Sequence, residues 1–124
     1  MEQKQFEETI EEQLKKSAVL LFSKNAAYNP NDDKLRGFKV AAELGRVTPQ
    51  KALSGMMAKH TVSVYDMCDS DRTFPMDVWD EKITDHINYL LLLRAIVEEQ
   101  FTPSEEALAL LREKLTTKDI PLAG

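Results

Sequence analysis

Asp77, Glu81, Asp85 and Asn88 follow one another at spacings of three and four residues. A helix of ordinary pitch brings all four within about 80° of one another. Oxygen donors so arranged can face water, pair with basic side chains, or hold a hard divalent cation. Mg²⁺ or Mn²⁺ is the usual guest where carboxylates meet a phosphate substrate. The stripe runs on into Leu92, Ala95 and Ile96, while Trp79, Ile83, Ile87, Leu90 and Val97 occupy the other side. From Tyr89 onward the helix is apolar nearly all round, the pattern of an element buried on several sides. A straight helix buried at Leu92 turns Glu81 and Asp85 towards its neighbours as well. Carboxylates in that position need a cation, a basic side chain or a metal.

A second set of polar residues lies upstream. Lys59, Ser63 and Asp66 border an apolar stripe of Ala52, Leu53, Met56, Met57, Val64 and Met67, with His60 near its middle. Lys59 can pair with Glu81 or Asp85, or bind a phosphate, and the spacing does not choose. His60 reads first as a hydrogen-bonded core histidine and second as a catalytic group. The methionines read as packing. Charge is segregated too: between Lys34 and His60 six Lys or Arg residues meet one acid, Glu43, a net +5 inside a chain of −5. That division suits complementary surfaces within a bundle or an oligomer, or a surface for an anionic ligand.

These residues need helices to position them. Phe6, Ile10, Leu14, Ala18, Leu21 and Phe22 predict a helix over about 3–24. "NAAYNPNDD" then favours turns, and Asp32 or Asp33 can cap a shorter helix carrying Leu35, Phe38, Ala41, Ala42 and Leu44, closed by Gly45. Thr48 as N-cap and Pro49 at the first helical position start a third helix, expected to reach about Met67. "CDSDRTFP" reads as a loop, and a fourth helix follows over about 76–99. Thr102 and Glu105 stand in capping-box register before Leu108, Leu111 and Leu115, so a fifth helix is expected over 103–115. No strand-like alternation of useful length appears. The expectation is one all-α domain over residues 1–124, a compact bundle of about five helices.

Composition narrows the class. Charged residues make up 30% and hydrophobic ones 43%, as in an ordinary globular protein. One cysteine, Cys68, leaves no internal disulfide and no Cys-based zinc site. The N-terminus is acidic and lacks the apolar segment of a signal peptide, and the longest apolar run, Tyr89–Leu93, is far too short to span a bilayer. A cytoplasmic protein is expected. The net charge argues against a general nucleic-acid coat.

Two stretches carry a resemblance. "KNAAYNPNDDKLRGFKVAAELGRVTPQKALSGMMAKHTVSV", followed by "WDEKITDHINYLLLL", resembles the MazG-like all-α nucleoside triphosphate pyrophosphohydrolase superfamily, in its small, mostly phage-encoded branches. The likeness rests on Lys24 and Tyr28, on Thr48-Pro49 leading to Lys59, and on Asp85 and Tyr89. It covers roughly residues 6–99, within a core of 3–99, and leaves the last helix as an appendage. The resemblance implies a helical bundle, often dimeric, in which carboxylates from E-x-x-E and E-x-x-D pairs hold Mg²⁺ for conversion of an NTP to NMP and pyrophosphate. Carried onto this chain, Glu81 and Asp85 become the catalytic carboxylates and metal ligands, with Asn88 and Asp66 as further ligands. Lys59 contacts phosphate, and Lys24 and Tyr28 sit near the nucleotide. If phage-encoded, the protein works in the host cytoplasm. The chain departs from the pattern in two ways: Glu81 and Asp85 are four apart rather than three, and the earlier acidic pair is replaced by Lys59, Ser63 and Asp66. Glu8 and Glu11 have the spacing, but in a first helix rich in acids.

The leading expectation is therefore a nucleotide-binding protein, with Mg²⁺- or Mn²⁺-dependent pyrophosphohydrolase activity if the carboxylate set is complete. A homodimer is expected, because a helix apolar on all sides must bury more surface than a monomer of this length supplies. The alternative is a non-enzymatic helical interaction protein of the phage accessory type. A helix-turn-helix reading of "VAAELGRVTPQKALSGMMAKH" ranks below both: Gln50 alone there is of the type that reads base edges.

Overall fold

In a computed structural model, residues 1–28, 33–101 and 105–117 are described, with side chains outside 24–28 and 117. They form five α-helices and no strand: α1 Gln3–Tyr28, α2 Arg36–Gly45, α3 Pro49–Asp69, α4 Met76–Gln100 and α5 Glu105–Thr117. The all-α expectation holds. Helix α1 is longer than expected, because Asn25–Tyr28 contains no breaker and the first proline is Pro30. The side chains expected to cap α5, Thr102 and Pro103, and the alternative α2 cap Asp32, lie outside the described residues.

A side-chain cap starts α3 but not α2, whose N-cap is Leu35 with no side-chain cap bond, so Asp33 turns the chain ahead of α2 rather than capping it. The Asp33 carboxylate accepts the Leu35 N–H at 3.0 Å, just ahead of α2. Thr48 is the N-cap of α3 and accepts the Lys51 N–H at 3.2 Å, with Pro49 next. The close of α2 corrects the sequence reading. Gly45 is its last helical residue, and Arg46 takes the left-handed position with φ 54°. Val47 N–H donates to Ala42 O at 2.9 Å and Arg46 N–H to Glu43 O at 3.2 Å, so the turn satisfies two orphan carbonyls. Those bonds offset the steric cost of a non-glycine residue there.

Helix α4 is the hub. It packs on α3 along one side and on α1 along another, and α2 packs on α3. Among the described residues α5 packs on none of them. The core lies where α2, α3 and α4 meet: Leu35, Leu53 and Ile96 are buried, with Phe38, Met57, Tyr89, Leu92 and Leu93 against them. The amides of Gln50 and Gln100 exchange hydrogen bonds of 2.5 and 2.8 Å, tying the start of α3 to the end of α4. Phe74 meets Trp79 edge-on at 5.9 Å and sits under Arg72, which anchors the α3–α4 loop.

The α1–α4 seam is polar. Gln13 Nε2 donates to Thr84 Oγ1 at 2.9 Å and to Ser17 Oγ at 3.1 Å, and both hydroxyl residues are buried. Lys16 closes the seam on Asp80 with contacts of 2.6 and 2.8 Å. Every residue from Met1 to Glu12 is exposed, so the first turns of α1 project beyond α4.

Lys39 bridges Asp33 and Glu99, joining the start of α2 to the end of α4. The hydrogen bond from Lys39, aided by that from Leu35 N–H, holds the Asp33 carboxyl below the ordinary carboxylate range. A carboxyl with a depressed folded pKa contributes stability above its unfolded value and loses it as pH falls through the folded one. In an acid titration of Tm, Asp33→Asn is therefore expected to flatten the wild-type decline below about pH 4. Identical acid limbs for the two proteins would show that the bridge contributes nothing in solution. The bonds from Lys39 to Asp33 and then Glu99 raise its own pKa. That contribution is present through neutral pH and lost only as pH rises past the lysine range.

Candidate functional site

The acidic stripe of α4 is real, and it faces α1. Asp77, Glu81 and Asp85 line one open groove with Glu12, Lys15 and Lys16. Asn88, the last member, is buried, and its Oδ1 has no hydrogen-bond partner among the described residues. Asp66 belongs elsewhere, in a groove along α3 with Lys59, Ser63 and Arg72. Lys59 makes no ion pair with Glu81 or Asp85; the acids of α4 that do pair are Asp80 with Lys16, Glu98 with Arg94 and Glu99 with Lys39. Lys24 and Tyr28 fall in the last turn of α1, and their side chains lie outside the described residues.

A Mg²⁺ or Mn²⁺ site can be tested against this arrangement. Hard cations of this kind need several oxygens converging at about 2.0–2.2 Å, with waters completing the shell. Glu12 supplies a carboxylate from a second helix, which the sequence pattern did not single out. Even so, among the described residues no three His, Cys, Asp or Glu side chains come together to hold an ion. Glu81, Asp85 and Asp66 thus do not converge within one chain. Of the expected carboxylate ligands Glu81 and Asp85 share one groove and Asp66 lies in another, and no hydrolytic step is derived through a cation.

A different constellation lies along the same face of α3, nearer its start, with Lys59 shared between the two grooves. Lys51, Gly55 and Lys59 recur every fourth residue, so they share one face. With Ala41, Val47, Ala52, Met56, His60 and Tyr89 they line a shallow groove of about 720 Å³ between α2, α3 and α4. Its floor is made of small residues. A Cβ built on Gly55 meets nothing within 4 Å, so the space between the two lysines is open. At one end the His60 and Tyr89 rings lie 4.8 Å apart at 45°. His60, expected to be hydrogen-bonded, instead has a buried Nδ1 with no partner among the described residues. The bonded histidine of the α3–α4 interface is His86, whose Nε2 lies 3.0 Å from Thr61 Oγ1.

The chemistry of this groove is that of an anion receptor with an aromatic wall. Two exposed lysines stand about 12 Å apart along the helix axis, with apolar surface between them and an unsatisfied imidazole nitrogen beside them. Lys51, Gly55 and the His60–Tyr89 pair were not joined by sequence reasoning. The four-residue repeat of Lys51, Gly55 and Lys59 was a usable signal, but the ring pair joins residues on two helices.

The helix-turn-helix outline is present as α2, a short turn and α3. However, Gln50, the one residue suited to read a base edge, is engaged with Gln100. No helix among the described residues is long and apolar enough to cross a membrane. No protein-family model matches the sequence, and searches of curated proteins and of solved structures find none similar to it.

Proposed function

We propose that the chain is a homodimeric nucleotide-binding protein whose ligand lies in the α2/α3/α4 groove. The observation that carries the reading is the alignment of Lys51 and Lys59 on either side of Gly55, next to the His60–Tyr89 ring pair. Phosphates bind between the lysines, where charge-assisted hydrogen bonds are strongest. The base lies on the small-residue floor against the aromatic wall formed by His60 and Tyr89. The MazG-like resemblance supports the same ligand class. Binding is the function proposed; the carboxylates leave turnover without a derived mechanism.

The homodimer draws its support from the surface. Phe6, Val19, Phe22, Leu44, Leu90 and Leu91 are all exposed. The same faces support a second reading, a non-enzymatic protein that docks a different partner.

Titration calorimetry with a panel of nucleoside mono-, di- and triphosphates, with and without Mg²⁺, tests the groove. Saturable binding is expected for the wild type, weakened about tenfold or more in Lys59→Ala. Gly55→Leu is expected to fold at least as stably, since glycine costs an exposed helix about 1 kcal/mol, and yet to lose binding because the new side chain occupies the groove. A folded wild type that binds no nucleotide overturns the reading and leaves the interaction protein.

A further inference from the structure

We infer that the projecting start of α1 is an acidic arm that docks on the α2 face of a second copy, each copy embracing the other. This inference rests on the homodimer reading and specifies its interface. Phe6, Ile10 and Leu14 recur every fourth residue and are exposed, the first two ahead of the polar seam with α4 that begins at Gln13. Glu7 and Glu11 border this stripe on the helix wheel. The arm is therefore apolar in the middle and acidic at its rim.

The chain carries one face of the opposite character. Val40 and Leu44 share the outer side of α2, and Leu44 is 83% exposed. Val47, in the following turn, is exposed beside them. Arg36 and Arg46 flank this patch, both exposed, and neither makes an ion pair with a described residue. Leu44 with Val40 and Val47 forms a contiguous exposed apolar patch on the side of α2 away from the core, the kind of surface a partner covers. The two patches are complementary in hydrophobicity and in sign of charge. The exposed Glu43 also borders the α2 patch, whose positive excess is therefore Arg36 and Arg46 against one acid.

A two-fold axis converts that relation into a closed dimer. The arm of one copy meets α2 of its partner, and the partner's arm returns the contact, so no patch is left to propagate a chain. Residues 3–12 of the arm extend about 15 Å, enough to lie along the ten residues of α2. A standard-size interface of about 1,600 Å² in total would here be divided between two such contacts.

Light scattering coupled to size exclusion tests the interface on the full chain. The wild type is expected at twice the 14.1 kDa chain mass. Ile10→Glu and Leu44→Glu are each expected to give the monomer with unchanged helicity, because both positions are exposed within the chain. Leu91→Glu, on an apolar face outside the interface, is expected to remain dimeric. Charge exchange adds a test of pairing. Glu7→Lys with Glu11→Lys is expected to weaken the dimer about tenfold or more, and Arg36→Glu with Arg46→Glu is expected to restore it. A monomeric wild type overturns the homodimer reading and this interface together. A dimeric wild type that survives Ile10→Glu and Leu44→Glu, or dissociates on Leu91→Glu, keeps the homodimer and overturns the arm.

Discussion

Leu53→Ala is expected to destabilise the fold by about 3 kcal/mol in denaturant unfolding at fixed protein concentration. Leu53 is 0% exposed and sits in the one cluster that joins three helices, with Leu35 of the α2 approach and Ile96 of α4. Truncation removes transfer free energy and leaves a cavity, and the cavity cannot collapse easily. Its walls come from separate helices held apart by their own backbones. The amide pair Gln50–Gln100 further restrains α3 against α4. Leu44→Ala is the matched control, the same change at an exposed site on α2. In the folded monomer, or under conditions that dissociate a dimer, it should lie within about 0.5 kcal/mol of wild type. A loss below about 1 kcal/mol for Leu53→Ala would mean that the α2/α3/α4 core is not packed as described.

Asn88→Leu is expected to act in the opposite direction and raise stability by about 1–2 kcal/mol. Asn88 is 8% exposed, and its side-chain carbonyl accepts no hydrogen bond from any described residue. Leucine has the same branching and number of side-chain heavy atoms, so the change replaces a desolvated acceptor with apolar surface, and its larger methyl groups are the term that works against the gain. It also removes a donor amide, which keeps the gain below the full desolvation penalty. Thermal and urea unfolding at one protein concentration measure it. A loss of stability instead would assign Asn88 a bound partner, and Asn88→Asp, which retains the acceptor, would then be the less damaging variant.

The fold was largely legible. The period of Phe6, Ile10 and Leu14, the Thr48-Pro49 start and the uninterrupted run from Met76 each report a local preference, and local preferences survive into the structure. Boundaries were less legible where competing local signals met. Gly45 is the residue that most easily takes a left-handed turn, yet Arg46 takes it, because the bonds that close α2 onto Ala42 and Glu43 put the turn one residue later. The acidic stripe was legible as a stripe, since helical spacing alone puts Asp77, Glu81 and Asp85 on one side. What it faces was not. The structure sets it against Lys15, Lys16 and Glu12 of α1, a relation between residues some seventy positions apart.

What the sequence by itself determined is the set of helices, their amphipathic faces and the division of charge between the acidic start of the first helix and the basic segment 34–60. These follow from periods of three and four residues and from capping side chains, all of which act over one or two turns. The tertiary structure alone decided that α4 is the hub, that Asp66 and the Glu81–Asp85 pair go to different grooves, that His60 meets Tyr89, and that the start of α1 is left without cover. Each of those depends on which helix faces which. That choice is set by the summed fit of many side chains across the interfaces, with Leu53 at their centre, and no local stretch of sequence records it.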